Sequence, residues 1–491
     1  MKKKWIILAI VSVGMLLISL DMTVLYTTLP TLSYELGASS SEKLWIVNAY
    51  SLVMAGLLLG IGALGDRLGH RNIFMSGLLV FGLASLMAAL SPTPIILIIA
   101  RIILAVGAAM MMPATLSLIR INFLDTRERN IAIAVWSSVF SGGAGLGPIL
   151  GGLLLEYFYW GSVFLINVPI IIISFIMSII FIPKDVGFST KKWDFFGSLQ
   201  IMIGLMGLIF AIKEFTRVDS SFLIALATLI IGVIFLIWFV KRQKRLGAPL
   251  IDFALFKNLS FSAGVVTALL SSFILVGTQL VITQRYQLVL GYTPLEAGLY
   301  MVAIPVMSFV AGIVTGRHLY KFNIINVQLT SLFSSGLGLT AFLMFFDSSS
   351  GLQILSLALI GTGLGIADTS ASNAIMNSAP IEKAGMAAST EELSYELGAV
   401  FGVGILGSLS SIFYTHFLNL PSTIDVPVIV KDSLDYALLI SEELPPEVAF
   451  ILENAAKTAF DQSFIAVMIT AILFTLIGAL FVFLAQKKSN L

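Results

Sequence analysis

The amino-acid sequence predicts an all-α polytopic membrane protein with fourteen transmembrane helices. Of its 491 residues, 58% are hydrophobic and only 11% are charged, and the mean hydropathy is +1.00. These values lie well outside the usage of soluble globular domains. Apolar stretches of spanning length recur along the chain, and basic residues are shared unequally between the loops that join them.

Each apolar stretch long enough to cross a bilayer as a helix is a predicted span. The first follows the basic opening MKKKW and runs for about 24 residues without a small-residue cleavage site, so we expect a retained span rather than a signal peptide. The predicted spans lie at residues 5–29, 43–63, 73–92, 94–119, 131–156, 159–182, 195–213, 221–240, 259–281, 295–315, 323–346, 351–378, 386–412 and 463–486.

The distribution of lysine and arginine predicts the orientation of the chain. If both termini are cytoplasmic, 21 of the 28 basic residues lie in inside loops, six lie in outside loops, and Arg101 lies within a span. Cytoplasmic loops of membrane proteins carry an excess of basic residues. We therefore expect a multi-pass protein of the cell membrane with both termini in the cytoplasm.

A short internal repeat predicts two related halves. GALGDRLGHRN at 62–72 follows the second span, and GIVTGRHLYKFN at 312–323 follows the tenth, with glycine and two basic residues in the same spacing. Duplicated six-helix units are common in transporters, with the substrate site between the halves. We expect a six-helix bundle at 1–185, two inserted helices at 186–258, and a second six-helix bundle at 259–491.

Several classes of function find no support in the sequence. There are no cysteines and only three histidines, which argues against disulfides, thiolate chemistry and a histidine-based metal site. No G-x-x-x-x-G-K-[ST] loop is present for binding a nucleotide. We expect a protein that is not an enzyme and has no cofactor, metal or nucleic-acid partner.

One acidic and one basic residue of the first half lie deep in predicted spans. From the helical rise, Asp21 is about 12 Å and Arg101 about 10 Å from the outer end of its span. Matched depth predicts an ion pair or a shared water network, because an unpaired charge there would be costly. The pair either takes part in proton exchange or only holds the helices together.

The second half carries carboxylates near the expected midplane. Asp368 and Glu396 are each about 15 Å from the inner end of their spans, and Glu392 shares a helix face with Glu396. Glu391 points about 100° away from Glu392 and is expected nearer the cytoplasmic mouth. No basic residue lies in these spans, so each carboxylate needs a proton or another cation. Alternatively, Glu391 and Glu392 are interfacial residues that water reaches.

These positions yield a hypothesis for antiport, in which a proton and an organic cation displace one another. We expect Asp21 and Glu396 to be indispensable, and Asp368 and Glu392 to shape the substrate range. Tyr26, Tyr395 and Met111 are candidates for lining a promiscuous cavity through cation–π and soft apolar contacts, although most such residues face lipid or core.

The motifs of this chain resemble those of the major facilitator superfamily. The loop GALGDRLGHRN is similar to the signature G-x-L-x-D-R-x-G-x-R, and GLGPILGG in the fifth span is similar to the antiporter signature G-P-x-x-G-G. LDMTVLYTTLP and WGSVFLINVP resemble segments of the fourteen-span drug:proton antiporter branch, within which the whole chain resembles QacA-type multidrug exporters. The matching positions are Gly62, Leu64, Asp66, Arg67, Gly69 and Arg71 in the loop and Gly147, Pro148, Gly151 and Gly152 in the span.

This resemblance implies export of lipophilic cations, such as quaternary ammonium antiseptics and dyes, by a monomer in exchange for protons. It implies that Gly147 and Pro148 contact the second half, and that Asp66 and Arg67 stabilise one of two conformations. Some family members carry a further acid in the tenth span, where this chain has only Glu296 at the edge and Ser308 deep inside. That difference leaves the handling of dications open, and a tetracycline–metal exporter of the same fold is the main alternative.

Residues 413–462 are too polar to span the membrane. They contain eight acidic residues against two lysines. Helix-forming composition at 431–443 and 446–459, with Pro445 and Pro446 between them, predicts an acidic helical hairpin outside. The hairpin either gates the outer mouth or caps it.

Overall fold

The computed structural model describes residues 2–38, 40–184, 194–215, 221–247, 249–420, 426–431 and 434–489. These residues form helices and connecting loops, with no strand among them. Within these described ranges, thirteen helices are long and apolar enough to span a membrane, and a bent helix makes a fourteenth, as the sequence predicts. The chain is therefore a multi-pass all-α protein.

The first half, defined as α1–α7, contains six spans in seven helices because the sixth span is broken at Ile166. A large apolar core packs these helices together. The helices are α1 Lys2–Glu35, α2 Ser40–Leu68, α3 His70–Ala89, α4 Pro94–Asn122, α5 Thr126–Tyr157, α6 Ser162–Leu165 and α7 Asn167–Phe181.

Helix α5 is the bent span. Its axis turns by 40° between Gly147 and Ile149. Residue 148 is a proline, which removes one backbone hydrogen bond and pushes against the preceding turn, so a bend is expected there.

The two inserted helices are α8 Phe195–Phe215 and α9 Phe222–Gln243. They pack against each other through Gly207 and Gly232, where a side chain would collide with the facing backbone. Their inner ends are joined by Asp194, which accepts hydrogen bonds from Arg242 and Gln243. The pair thus forms a hairpin whose outward surface is apolar.

The second half, defined as α10–α18, has several interrupted spans. A new helix begins at Ala303 after Met301, and π-helical turns occupy Arg285–Val289 and Gly402–Leu406. The helices are α10 Leu259–Gln284, α11 Pro294–Met301, α12 Ala303–His318, α13 Ile324–Phe345, α14 Ser350–Ser378, α15 Ala384–Phe401, α16 Gly407–Phe417, α17 Leu434–Ser441 and α18 Pro446–Ser489.

The outer segment partly matches the predicted hairpin. Helix α17 forms one arm, but the second arm is not separate, because the helix from Pro446 continues without a break into the last span. Buried Arg285 anchors this long helix by donating from Nε to Asp461 Oδ1 over 2.8 Å, and it also pairs with Asp347. The outer arm is therefore fixed rigidly to the end of α10.

We call the end of the bundle that carries the α2–α3 loop the inner end, since the charge distribution predicts it to be cytoplasmic. There the segment after α9 is tied to the start of α15, because Lys383 Nζ lies 2.6 Å from Asp252 Oδ2. The hydrogen bonds from Lys383 and from the Ala254 backbone lower the pKa of Asp252 below its ordinary value. This ion pair is consequently intact at neutral pH.

Candidate functional site

The deepest charged contact of the first half is an ion pair between α1 and α4. Arg101 Nη1 donates to Asp21 Oδ2 over 2.5 Å, and the two residues are 2% and 4% exposed. Depth matching in the sequence predicts this pairing. Breaking one side of such a buried pair leaves an uncompensated charge and costs about 3–5 kcal/mol.

Arg101 is also held by α2. Its Nε donates to the carbonyl oxygen of Ile46 over 3.3 Å, and its Cζ lies 4.5 Å from the centre of the Tyr50 ring. Ile46 and Tyr50 are one helical turn apart and so share a face of α2. The guanidinium therefore joins three helices, while Asp21 Oδ1 keeps no hydrogen-bond partner among the described residues.

The second half brings its four predicted acids together at the contact of α10, α14 and α15. Asp368 accepts a hydrogen bond from Ser271 Oγ over 2.7 Å, and Glu391 accepts one from Ser372. Glu392 lies within electrostatic reach of the other three carboxylates. The four acids, Asp368, Glu391, Glu392 and Glu396, are called the acidic cluster below.

The expectation that Glu391 lies near the inner mouth is wrong. Glu391 is fully buried, and Glu392 is only 2% exposed, so the alternative of two water-reached interfacial residues also fails. The Glu391 side chain, about 100° around α15 from that of Glu392, points towards α14 rather than towards solvent. There it accepts a hydrogen bond from Ser372. Glu396 is the most accessible of the three α15 glutamates, at 8% exposure.

The acidic cluster brings acidic side chains together without a basic side chain paired to them among the described residues. No lysine or arginine side chain forms an ion pair with these four carboxylates among the described residues. Ionising several of them together would place like charges in a poorly solvated space, which is costly. A proton or an organic cation relieves this cost, so the cluster is chemically suited to binding one or the other.

Of the three residues predicted to line a cavity, one lies near the acidic cluster and another is packed inside the first half. Tyr395 lies within electrostatic reach of Asp368, Glu391 and Glu392, and its role in lining a cavity stays a prediction. Met111 is fully buried against Gly77 of α3 inside the first half, so its assignment to a cavity is wrong. The side chain of Tyr26 lies outside the described residues.

The glycine-rich loop signature forms the inner contact between the halves. Asp66 Oδ1 accepts a hydrogen bond from the backbone N–H of Gly385 over 2.9 Å, and a side chain at Gly62 would collide with Ser389. Gly69 has a φ of +88°, a conformation that glycine adopts without strain. The inner ends of α2 and α15 are thus closed against each other in this structure.

The two arginines of the loop signature have different surroundings. Arg71 Nη2 donates to the carbonyl oxygen of Ile179 in α7 over 3.2 Å, and Arg67 is exposed. A second inner contact comes from Arg129, whose Nε donates to Asn377 Oδ1 of α14 over 2.8 Å. The sequence reasoning missed Arg129 because a basic residue in an inner loop has no distinguishing pattern.

The antiporter signature in α5 contacts the two halves through different glycines. The expectation that Gly147 meets the second half is wrong, because a side chain there would collide with Thr23 of α1. Gly145 instead faces Pro305 of α12, because residues two apart point to nearly opposite sides of a helix. Gly151 is buried, a side chain at Gly152 would meet nothing within 4 Å, and the Pro148 side chain lies outside the described residues.

Metal binding finds no support at this site. No group of three or more histidine, aspartate or glutamate side chains is arranged to hold a metal ion among the described residues.

Two serines face the acidic cluster. Ser271 donates a hydrogen bond to Asp368 and Ser372 donates one to Glu391, so they are suited to orienting these carboxyl groups. No pattern in the sequence marks these two serines, because buried serine is common in membrane helices.

The sequence is similar to those of known transport proteins along most of its length. The sequence model of the Major Facilitator Superfamily matches residues 11–403. The chain is 38% identical to the methyl viologen resistance protein SmvA of Salmonella typhimurium, over 94% of each chain. It is 34% identical to the multidrug efflux pump LfrA of Mycolicibacterium smegmatis, over 99% of this chain and 97% of the other.

A solved structure has the same architecture. The human organic anion transporter MFSD10 superposes with a TM-score of 0.63 at 13% identity, covering 96% of this chain and 99% of that one. At this identity the likeness concerns the fold alone.

Proposed function

Because the chain belongs to the major facilitator superfamily, we propose that it exports lipophilic cationic drugs and antiseptics in exchange for protons. Its relatives include a multidrug efflux pump and a methyl viologen resistance protein, each aligned over nearly its full length. The observation that carries the proposal is the acidic cluster, in which three buried glutamates and the half-buried Asp368 have no basic partner among the described residues.

The cluster supplies the substrate side of the exchange. A lipophilic cation loses its water shell on entering a buried cavity and regains stabilisation from a fixed carboxylate. The same carboxylate holds a proton when the cation leaves. Competition for one negative site is the simplest physical basis for antiport.

Dications belong to the proposed substrate class. The SmvA relative is named for resistance to methyl viologen, a compound that carries two positive charges. The tenth span of this chain lacks a deep acid, and Ser308 there meets Ser141 of α5 over 3.2 Å. The acidic cluster nevertheless offers more than one carboxylate, and Asp368 and Glu396 come from different helices. We propose that these two carboxylates serve the two charges of such a substrate.

The ion pair of Asp21 and Arg101 supplies the proton side. Asp21 has one oxygen free of hydrogen bonds within the described structure, while Arg101 stays attached to α2. A proton arriving at Asp21 would cancel the ion pair and leave the Arg101 charge unbalanced. Protonation thereby changes the electrostatics between α1, α2 and α4.

The test uses inverted membrane vesicles that contain the protein and carry an inside-acid pH gradient. Ethidium, methyl viologen and tetracycline with a divalent metal are added separately, and collapse of the gradient is recorded. We expect collapse with the two organic cations and its loss in Glu396→Gln. The matched control is Glu382→Gln, which removes an exposed carboxylate at the inner surface.

Two results would contradict the proposal. Collapse with the tetracycline–metal complex alone would favour an exporter of that substrate with the same fold. An unchanged response in Glu396→Gln would remove the acidic cluster from the exchange.

A further inference from the structure

Tyr50 contacts the ion pair of the first half from helix α2. It is on α2, it is 1% exposed, and its ring faces the Arg101 guanidinium at 4.5 Å. A guanidinium over a tyrosine face is attracted by the ring quadrupole, and the attraction is stronger when both groups are desolvated. The ring therefore helps to fix Arg101 independently of Asp21.

The Tyr50 hydroxyl is placed differently from its ring. It is buried and has no hydrogen-bond partner among the described residues. The charges of Asp21 on α1, Arg101 on α4 and Glu396 on α15 are close enough to act on it. An unpaired buried hydroxyl is costly, which indicates that it has a partner at another stage or through water.

Other charged residues of α2 lie further along the helix, with Lys43 and Glu42 seven and eight residues from Tyr50, about 10 and 12 Å away. Asp66 is on α2 itself, sixteen residues from Tyr50 and so about 24 Å along the helix, and His70, Glu382 and Lys383 lie beside that inner end. Tyr50 thus connects the first-half ion pair to the second-half carboxylates across the contact between the halves.

We propose that Tyr50 is a positioning residue that couples the charge state of the Asp21–Arg101 pair to Glu396. Its ring holds the guanidinium in place, and its buried hydroxyl lies where the charge of Glu396 in the opposite half acts on it, on the helix that packs against α15. The coupling deepens the proposed function and rests on it for its role in export.

The coupling has a definite direction. When Asp21 takes up a proton, Arg101 loses its counter-charge but stays attached to Ile46 and Tyr50. Its positive charge then acts across Tyr50 on Glu396 and repels an organic cation held there. Protonation in the first half thereby promotes release of the substrate in the second.

Helix α2 also links this point to the inner contact. Gly62 lies twelve residues after Tyr50, about 18 Å along the same helix, and packs against α15. If a change at Arg101 shifts α2, the inner end of α2 therefore moves as well. The position of the inner end is a readout that needs no drug.

The test measures a distance across the inner end as a function of pH. Because the chain has no cysteines, Leu68→Cys and Glu382→Cys introduce the only two labelling sites, both at exposed positions. Labelled protein in lipid nanodiscs is titrated from acid to alkaline pH without drug. We expect a pH-dependent distance whose midpoint moves by about half a pH unit or more in Tyr50→Phe.

Three further variants separate coupling from a general loss of packing. Tyr286→Phe removes the hydroxyl of an equally buried tyrosine, which donates to Gln353 near the outer end, and should leave the midpoint unchanged. In a Glu396→Gln background, Tyr50→Phe should cause no additional shift, because the residue on which the hydroxyl acts is gone. Tyr50→Leu, which also removes the ring, should impair the response more strongly than Tyr50→Phe.

Three outcomes would overturn the coupling: a wild-type distance that does not respond to pH, a Tyr50→Phe midpoint equal to the wild-type one, or an equal shift in both backgrounds. Its failure is distinguishable from that of the proposed function. If drug-driven collapse of the gradient is absent while the distance titration behaves as expected, export of cations fails and the coupling stands.

Discussion

Asp21 and the acids of the acidic cluster are all poorly solvated, but they are stabilised in different ways. Asp21 has a permanent cation beside it, so it is stable when ionised and its protonation disrupts an existing contact. Among the described residues, Glu391 and Asp368 accept hydrogen bonds from serine hydroxyls, which stabilise a carboxylate far less than an arginine does. This difference favours proton sensing at Asp21 and exchange of cations at the cluster.

The first prediction concerns Asp21→Asn. The amide has the size of the acid but neither carries a charge nor exchanges a proton, so Arg101 loses its buried counter-charge. We expect drug-driven proton exchange to fall at least tenfold and the protein to lose about 3–5 kcal/mol of stability. Gradient collapse in vesicles and thermal unfolding in detergent measure the two effects.

The matched control is Asp347→Asn. Asp347 pairs with another buried arginine, Arg285, which keeps Asp461 as a second partner after the change. Exchange should stay near the wild-type rate in this variant. Full exchange in a well-folded Asp21→Asn protein would show that the first-half pair is only structural.

Sequence reasoning located these residues by depth but not by direction. The rise of a helix is constant, so counting residues from the span ends correctly paired Asp21 with Arg101. The surroundings of Glu391 depend on which neighbour packs against each face of α15, and this is decided by tertiary contacts. Sequence reasoning missed Tyr50 because no motif or spacing distinguishes it from other tyrosines in apolar helices.

At the scale of helices, the span count was predictable but the interruptions were not. Hydropathy detects the length of an apolar stretch, whereas a π-helical turn such as Gly402–Leu406 changes the backbone without changing composition. This turn lies in the span that carries three of the four acids of the cluster, about two to three turns beyond Glu396. Close contacts of Gly398 and Gly402 with α10 fix it in place.

The second prediction separates two glycines of the antiporter signature in α5. Gly147→Val places a side chain against Thr23 of α1, next to Asp21, and overpacking of this kind costs about 1–3 kcal/mol. We expect drug-driven proton exchange to fall about tenfold, since α1 must move or α5 must straighten. The vesicle assay at equal protein amounts measures the change.

Gly152→Val is the comparison for this substitution. A side chain at Gly152 has open space around it, so exchange should stay within about twofold of the wild-type rate. Equal losses in the two variants would mean that the signature acts through the backbone flexibility of α5 rather than through its contact with α1.

For the whole molecule, the contacts between the halves form two unlike sides. On one side, α5 meets α12 through small residues and serine contacts, including Ser138 Oγ donating to the Phe309 carbonyl oxygen over 3.1 Å. On the other side, the inserted helix α8 packs on α2 through Met202 against Gly56 and touches Gly404 through Ile212. The inserted pair therefore lies across the boundary between the halves.

The last prediction concerns the closed inner end. Gly62→Leu places a large side chain where the backbone of α2 touches Ser389 and Gly385, so this contact can no longer close. A cysteine introduced at Ala388, which is fully buried on α15, should then react with a thiol reagent at least about tenfold faster than in the wild-type background. The control is Gly298→Leu, where a side chain would meet nothing within 4 Å. Equal reaction rates in the two variants would show that α2 and α15 do not close the inner end, and that the loop signature acts elsewhere.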